Sequence, residues 1–423
     1  MFKTKKIIQG ITAAAVLSAA AMNVQADATP LSATILEFAE KNTLFVADSD
    51  SSKIFAYTLP EVVPTKTSES YNLEGAGSEI AELLGVKSTD VRYHDIAIHP
   101  ASKEAYISVS YLKGKKKVSA LIKANQKGNF EKVNLKKYKS TVKSLTKTAD
   151  DSVKFWRDIP ATTLAITDLD YVNGTLYVSS LSTGEFASTL RKVEYPFTDK
   201  DTSTNIEIYH TVHDQTETRA PIRAMEVLNL NGVETVVAAY TCTPLVTIPT
   251  AELSDGAHVK GKTIAELGYG NTPLDVIKFT ATDHTQKQED FVLVINKERS
   301  ADLIRVADLV EANNKEGLST PEMWAKAGVP TRPIPLSGVL QAADQDGQYI
   351  ATLKRNMGTG DIDLISYRKG AYFRLNDFIS EYNFKDYKYY PEQEMFRNFQ
   401  NLLKTDAGYP DLTRELSKKE VKK

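Results

Sequence analysis

An all-β chain closed into a single β-propeller of six four-stranded blades is the fold this sequence predicts. Three observations predict it. A hairpin of alternating apolar and polar residues, TLFVADSDSSKIFAYTLP at 43–60, has counterparts along the whole chain. Those counterparts recur at a spacing that holds four short strands and their loops. A single cysteine, Cys242, excludes an intramolecular disulfide, so a chain of 423 residues must be held by buried apolar surface.

The paired strands fall at 33–50, 94–111, 167–182, 222–242, 274–296 and 339–355. Anchored on Phe45, Ala105, Leu176, Val236, Phe291 and Tyr349, their intervals are 60, 71, 60, 55 and 58 residues. Third and fourth strands are read from the pieces between them: KIFAYTLP then SYNLEG, LRKVEYPF then IEIYHTV, and LIRVADL then RPIPLSG. A four-stranded sheet of this kind has two apolar faces that it cannot bury alone. Radial stacking buries both and leaves only short edges. The stretch 121–160 is unassigned, and seven blades would require a further unit hidden there. SEIAELLGV at 78–86, and ADLVEANN with PEMWAKAGV within 307–329, have helical apolar spacing and are expected as short helical insertions. Residues 27–375 are assigned to the propeller. DFISEYNF and EMFRNFQNLL are expected to form a C-terminal helical extension over 376–413, and 414–423 a charged, frayed tail.

The first 26 residues read as a cleaved export signal: Lys3, Lys5 and Lys6 precede a short apolar run, and Val24-Gln25-Ala26 ends it. This predicts a periplasmic or secreted protein with no stable membrane insertion after cleavage, because no later window is apolar enough to span a bilayer. The formal charge of −2 becomes −5 without the three signal lysines, and no basic field marks a nucleic-acid partner. The basic run KGKKK at 113–117 is expected as a solvated loop tip.

FVADSDSSKIFAY, AYISVSY and LYVSSLS resemble the strand-turn-strand repeats of exported propellers of the YVTN and NHL type, and the resemblance covers roughly residues 33 to 375. It implies the fold and leaves the activity open. Exported propellers include sugar-acid lactonases and the heavy chains of amine dehydrogenases.

In a propeller the first strand of each blade lines the axis, and its start lies beside the end of the second strand. One mouth of the channel can therefore be read from the hairpins. The candidates for holding a metal there are Asp95, Asp168 and Asp275, which begin three of the first strands, and His210 and His213 in YHTVHDQTETRAPIRAM. Converging carboxylates repel one another unless a cation, an arginine or water compensates them, so a divalent cation is one reading. The other is that each aspartate accepts backbone N–H bonds at its own turn. His210 and His213 can share an ion only if their loop is a turn or helix, since a strand would send them to opposite faces. Candidate ligand-binding residues are His94, Arg219, Arg223, Tyr240, Cys242, Asn296 and Arg355. Arg219, Arg223, Lys354 and Arg355 suggest an anion clamp or salt bridges to the aspartates. Cys242 is a buried core thiol or a ligand. Trp156 and Arg157 suggest an aromatic wall over the mouth. His99, before Pro100, reads as turn chemistry.

No GxSxG, HExxH, P-loop or GxGxxG after a strand is present. Two classes of function remain. One is a binding or interaction module whose polar, carboxylate-lined mouth holds a metal ion or a small anionic ligand, or docks a protein partner. The other is a periplasmic enzyme or enzyme subunit, either a metal-dependent lactonase or hydrolase or part of an oxidoreductase. For a lactonase the expected set is Glu, Asn and Asp around one cation. Asp95, Asp168, Asp275 and Asn296 are the nearest match, with no glutamate on the axis.

Overall fold

Six antiparallel sheets, one for each hairpin copy, surround a common axis. The computed structural model describes residues 29 to 373, apart from 40–41, 66–67, 153, 156–158, 185 and 283–286. The stretches expected as an export signal, a C-terminal extension and a charged tail, together with Trp156 and Arg157, lie outside the described residues.

Blade 1 joins Ile35–Phe38, Thr43–Asp48 and Lys53–Thr58 to Lys139–Ser144. Blade 2 is Val91–Ile98, Ala105–Lys113, Lys116–Ala124 and Phe130–Lys132. Blade 3 is Asp168–Val172, Thr175–Leu181, Ser188–Glu194 and Thr202–His210, with Gln215–Glu217 added outside it. Blade 4 is Ile222–Leu230, Val233–Tyr240, Pro244–Pro249 and Lys262–Glu266, and blade 5 is Pro273–Thr282, Gln288–Asn296, Ala301–Arg305 and Arg332–Ile334. Blade 6 is Val339–Asp344, Tyr349–Arg355 and Ile362–Arg368, completed by Asn72–Leu73 from far upstream.

The order of blades around the axis is not their order in the chain. Six apolar clusters fill the six gaps between sheets, and they show who neighbours whom. Leu44, Val46 and Tyr57 of blade 1 pack on Ala97, Tyr106 and Leu121 of blade 2. Phe45, Ala47 and Ile54, on the other face of blade 1, pack on Leu169, Leu176 and Val178 of blade 3. Blade 3 then meets blade 4, blade 4 meets blade 5, and blade 5 meets blade 6. Blade 6 closes the ring against blade 2 through Leu353 and Leu364 on Ile107 and Ile122. The circuit is therefore 2–1–3–4–5–6, with the N-terminal strands inserted between blades 2 and 3.

This insertion explains two strands whose sequence-based placement needs correcting. SYNLEG does not complete blade 1. The segment 59–71 crosses the first turn of blade 2, where Thr65 N donates to Ala101 O at 2.8 Å and Tyr71 Oη to Lys103 O at 2.9 Å. Asn72–Leu73 then pairs with Ile365 and Leu364 of blade 6. The helix Ala76–Leu84 that follows is anchored to the same blade, where Asp361 accepts from Ser78 Oγ at 2.6 Å and Asp363 from Gly75 N at 2.8 Å. The stretch 121–160 contributes no seventh blade. It supplies the outer strands of blades 2 and 1 and, among the described residues, one small hairpin, Lys154–Phe155 with Ile159–Pro160.

Of the expected helical insertions, Ala76–Leu84 and Val306–Asn313 form. PEMWAKAGV does not. Its Met323 and Trp324 are exposed, with Trp324 edge-on to the likewise exposed Tyr269 ring at 4.9 Å, so the helical spacing is not buried, and Ala327–Gly328 instead adds an edge strand to blade 4. Gly328 has φ +82°, and a Cβ there would sit 2.1 Å from Ile264 O, a close approach only glycine allows. No helix among the described residues is long and apolar enough to cross a membrane.

Candidate functional site

Alternation along the inner strands sends every second side chain to the axis, and on this axis those side chains are acidic. Asp95, Asp168 and Asp275 begin the arrangement, and all three are held in the same way. One carboxylate oxygen accepts the amide of the next residue: Ile96 at 2.7 Å, Leu169 at 2.9 Å, Val276 at 2.8 Å. The other accepts an amide from the neighbouring blade: Leu36 at 2.7 Å, Met225 at 2.6 Å, Ala342 at 2.8 Å. In ring order these bonds join blade 2 to 1, 3 to 4 and 5 to 6, so the aspartates staple alternate junctions. The turn-capping reading of these residues matches this geometry, extended across the blade gap.

Beyond them lies a second tier that the sequence reading missed. Glu37, Asp170, Glu226 and Lys278 project from blades 1, 3, 4 and 5, on one side of the axis. Asp170 Oδ2 accepts from Val227 N. Glu226 Oε1 accepts from Lys278 N at 3.0 Å, while Lys278 Nζ stands 3.5 Å from Glu226 Oε2 and donates to Val227 O at 3.2 Å. The signal for Asp170 was the period of two counted on from Asp168, and the signal for Glu226 was a charge inside the apolar run AMEVL. The glutamate absent from the sequence-based axis is thus present twice.

Both tiers line a cavity of about 770 Å³ that runs from the three aspartates towards the turns after the first strands, at Pro100, Asn229 and Gln345. Nine carboxylates face two lysines, Lys103 and Lys278, and Phe38, Tyr171, Phe279 and Phe291 supply aromatic wall. Depth below the surface pushes Glu37, Asp95 and Asp168 well above the usual carboxylate range, and mutual repulsion adds to it. Burial raises Asp275 to about 6, against the two amides that stabilise its anion and the nearby Arg223. Burial, then Asp170, raises Glu226 to about 8. Burial would depress Lys278, but Glu226 and Asp170 outweigh it and hold the ammonium above its ordinary value.

None of the seven candidate ligand-binding residues lines this cavity, because it opens towards the opposite face from the mouth read off the hairpins. His94 Nε2 lies 2.8 Å from Ser110 Oγ, and burial, then Lys117 and Arg223, lowers it to about 4. Tyr240 is a core residue whose hydroxyl takes a 3.5 Å bond from Ser188 Oγ. Asn296 is buried, bonded to Asn271, Ser300 and Asp302 at 2.7, 2.9 and 2.9 Å, and so is not the asparagine of an axial ion site. Arg219 and Arg355 are exposed, Arg355 donates to Gly360 O at 2.9 Å within its own loop, and Lys354 is buried against Tyr367, while the half-buried Arg223 stands near Asp275 and His94. His99 Nδ1 accepts the amides of Ala101 and Ser102 at 3.2 and 3.1 Å, as turn chemistry requires.

His210, His213 and Cys242 do come together. His210 ends the outer strand of blade 3 and His213 ends the single turn Thr211–His213, so the chain leaves strand geometry between them and their ring centroids lie 4.0 Å apart. Cys242 arrives from the loop after the second strand of blade 4. One ligand atom from each of the three lies within 4.8 Å of the others. Glu217 holds both rings, taking His210 Nδ1 at 2.9 Å and bonding His213 Nδ1. Burial alone would raise Glu217, but bonds from His210, Gln215 and His213 bring it to about 2.

No family model matches the chain, and no curated protein does. Solved structures similar to it include extracellular domains 1–2 of Drosophila Semaphorin 1b, at 8% identity and TM-score 0.33, covering 79% of this chain and 84% of that one. A PQQ-bound aldose sugar dehydrogenase from Streptomyces coelicolor is similar at 9% identity and TM-score 0.30, covering 82% and 96%. Virginiamycin B lyase from Staphylococcus aureus is similar at 7% identity and TM-score 0.28, covering 80% and 95%. At such overlap no assignment of function passes from them. Six-bladed β-propeller is the class that the sheets themselves define.

Proposed function

We propose that this chain is an exported binding protein of the YVTN/NHL propeller type, periplasmic or secreted, whose axial cavity takes a small organic cation. The observation that carries this reading is the charge of the cavity: nine carboxylates against two lysines, with aromatic walls. An anionic ligand would meet repulsion there, whereas an ammonium group gains both carboxylate pairing and contact with ring faces. At about 770 Å³ the space suits a small molecule rather than a bare ion. Binding a cation favours the ionised carboxylates, so groups raised by burial release protons as the ligand enters.

Calorimetric titration of the purified chain with choline, spermidine, Ca²⁺ and citrate tests the reading. The organic cations are expected to bind at pH 8.5, to bind more weakly at pH 6, and to release protons to the buffer. Glu226→Gln is expected to weaken them by about tenfold, the equivalent of about 1.4 kcal/mol. Citrate binding more tightly than either amine, or affinities indifferent to pH and to Glu226, would overturn it.

One observation favours an enzyme as the second reading. Glu226, held at about 8 beside Asp170, has the protonation behaviour of a general acid in a site that must stay poised near neutral pH. Turnover of a lactone or ester substrate that vanishes in Glu226→Gln while binding survives would select this reading over simple binding.

A further inference from the structure

We propose that His210, His213 and Cys242 form a binding site for a thiophilic transition-metal ion of the zinc class, at the junction of blades 3 and 4 and separate from the axial cavity. Two imidazoles and a thiol are the donor set that borderline and soft ions prefer over oxygen-rich sites.

Three independent features of the junction point to this site. First, the three donors, drawn from two blades, already lie within 4.8 Å of one another. Zinc bonds of about 2.0–2.3 Å require donors roughly 3.5 Å apart. The contraction is small, and His213, with 45% of its side chain exposed, lies in a short surface turn rather than in the packed sheet. Second, His210 is 1% exposed, and its Nε2 is buried without a hydrogen-bond partner among the described residues. A buried ring nitrogen left unsatisfied is unfavourable unless something occupies it. Third, Glu217 bonds Nδ1 of both histidines, which fixes the ring orientations and leaves Nε2 of each as the ring nitrogen the carboxylate does not take. Carboxylate-to-histidine support of this kind is how metal-binding imidazoles are held. Cys242 adopts φ 93°, a left-handed conformation uncommon for a residue with a Cβ, and this sets where the thiol points.

The test is Zn²⁺ binding to the full chain, by calorimetry and by metal content after dialysis, with Co²⁺ as the spectroscopic probe. Wild type is expected to bind one equivalent, and the cobalt form to show a thiolate-to-metal charge-transfer band. Cys242→Ser should abolish that band and weaken zinc by tenfold or more. His213→Ala should do the same to zinc affinity, and its exposure makes it a variant that folds even if His210→Ala does not. Glu217→Gln should weaken zinc by about 10–100-fold. Glu226→Gln should leave zinc unchanged, which separates this site from the proposed cavity function. Absence of stoichiometric zinc, a cobalt spectrum without the sulfur band, or affinity that survives both Cys242→Ser and His213→Ala would overturn the proposal.

Discussion

The two tiers of carboxylates on the axis use the same chemical group in different ways. Asp95, Asp168 and Asp275 repeat one pattern three times, each taking its own strand's next amide and one from the adjoining blade. Glu37, Asp170 and Glu226 each also take an amide from the next blade, at Tyr171, Val227 and Lys278, but they are not spread around the ring. They gather on consecutive blades 1, 3 and 4, beside Lys278 of blade 5, whose side chain is 48% exposed. Even spacing around the ring staples alternate junctions, and crowding on one side makes a place for something else to bind. The difference also shows why an acidic axis is tolerated at all. Backbone amides stabilise both tiers, and Lys278 adds a cation to the second.

The sharpest way to break the comparison is Asp168→Ala. It leaves the Met225 and Leu169 amides without acceptors at a blade junction, and a loss of about 2–4 kcal/mol is expected in urea unfolding. Asp168→Asn keeps one acceptor and should lose less.

Next comes the pH dependence of stability, where Glu226→Gln should act through charge rather than through hydrogen bonding. Folding raises Asp275 to about 6 and Glu226 to about 8, above the value of about 4 for an unfolded carboxylate. The folded chain therefore binds more protons than the unfolded one across that window, and stability falls as pH rises. The contribution is fully present below about pH 4, and it is lost as pH passes 6 and then 8. Melting temperatures from pH 4 to 9 should show this fall in the wild type, and Glu226→Gln should flatten its upper part.

The smallest expected effect is Arg355→Ala. The exposed side chain bonds only within its loop, so a change within about 0.5 kcal/mol and unaltered cation binding are expected. A large effect on binding would mean that the opposite mouth participates after all.

The six hairpins were legible because their second strands, buried on both faces, read as short apolar runs that recur between turn signals at a regular spacing. The circuit of blades was not legible, because SYNLEG and the strand Lys139–Ser144 are short edge strands with no preference of their own for one sheet over another. The aspartates were visible at the starts of strands. Their two-amide geometry was not, since one of those amides comes from a blade 57 to 67 residues away for Asp168 and Asp275. Glu37 and Glu226 were passed over because they sit in the middle of strands, where a lone charge in an apolar run reads as solvent-facing. The pairing of His210 with His213 depended on whether strand geometry ended between them, which only the backbone could decide.

The insertion of blade 1 between blades 2 and 3 imposes an order on biosynthesis. The first three strands leave the ribosome with one edge open, and the strand that covers it, Lys139–Ser144, is made only after all of blade 2. Asn72–Leu73 waits longer still, for a partner near the end of the propeller at Ile362–Arg368. Unlike a propeller whose sheets are finished one after another, this one holds two early strands in reserve, so its N-terminal third stays incomplete until distant segments have been translated.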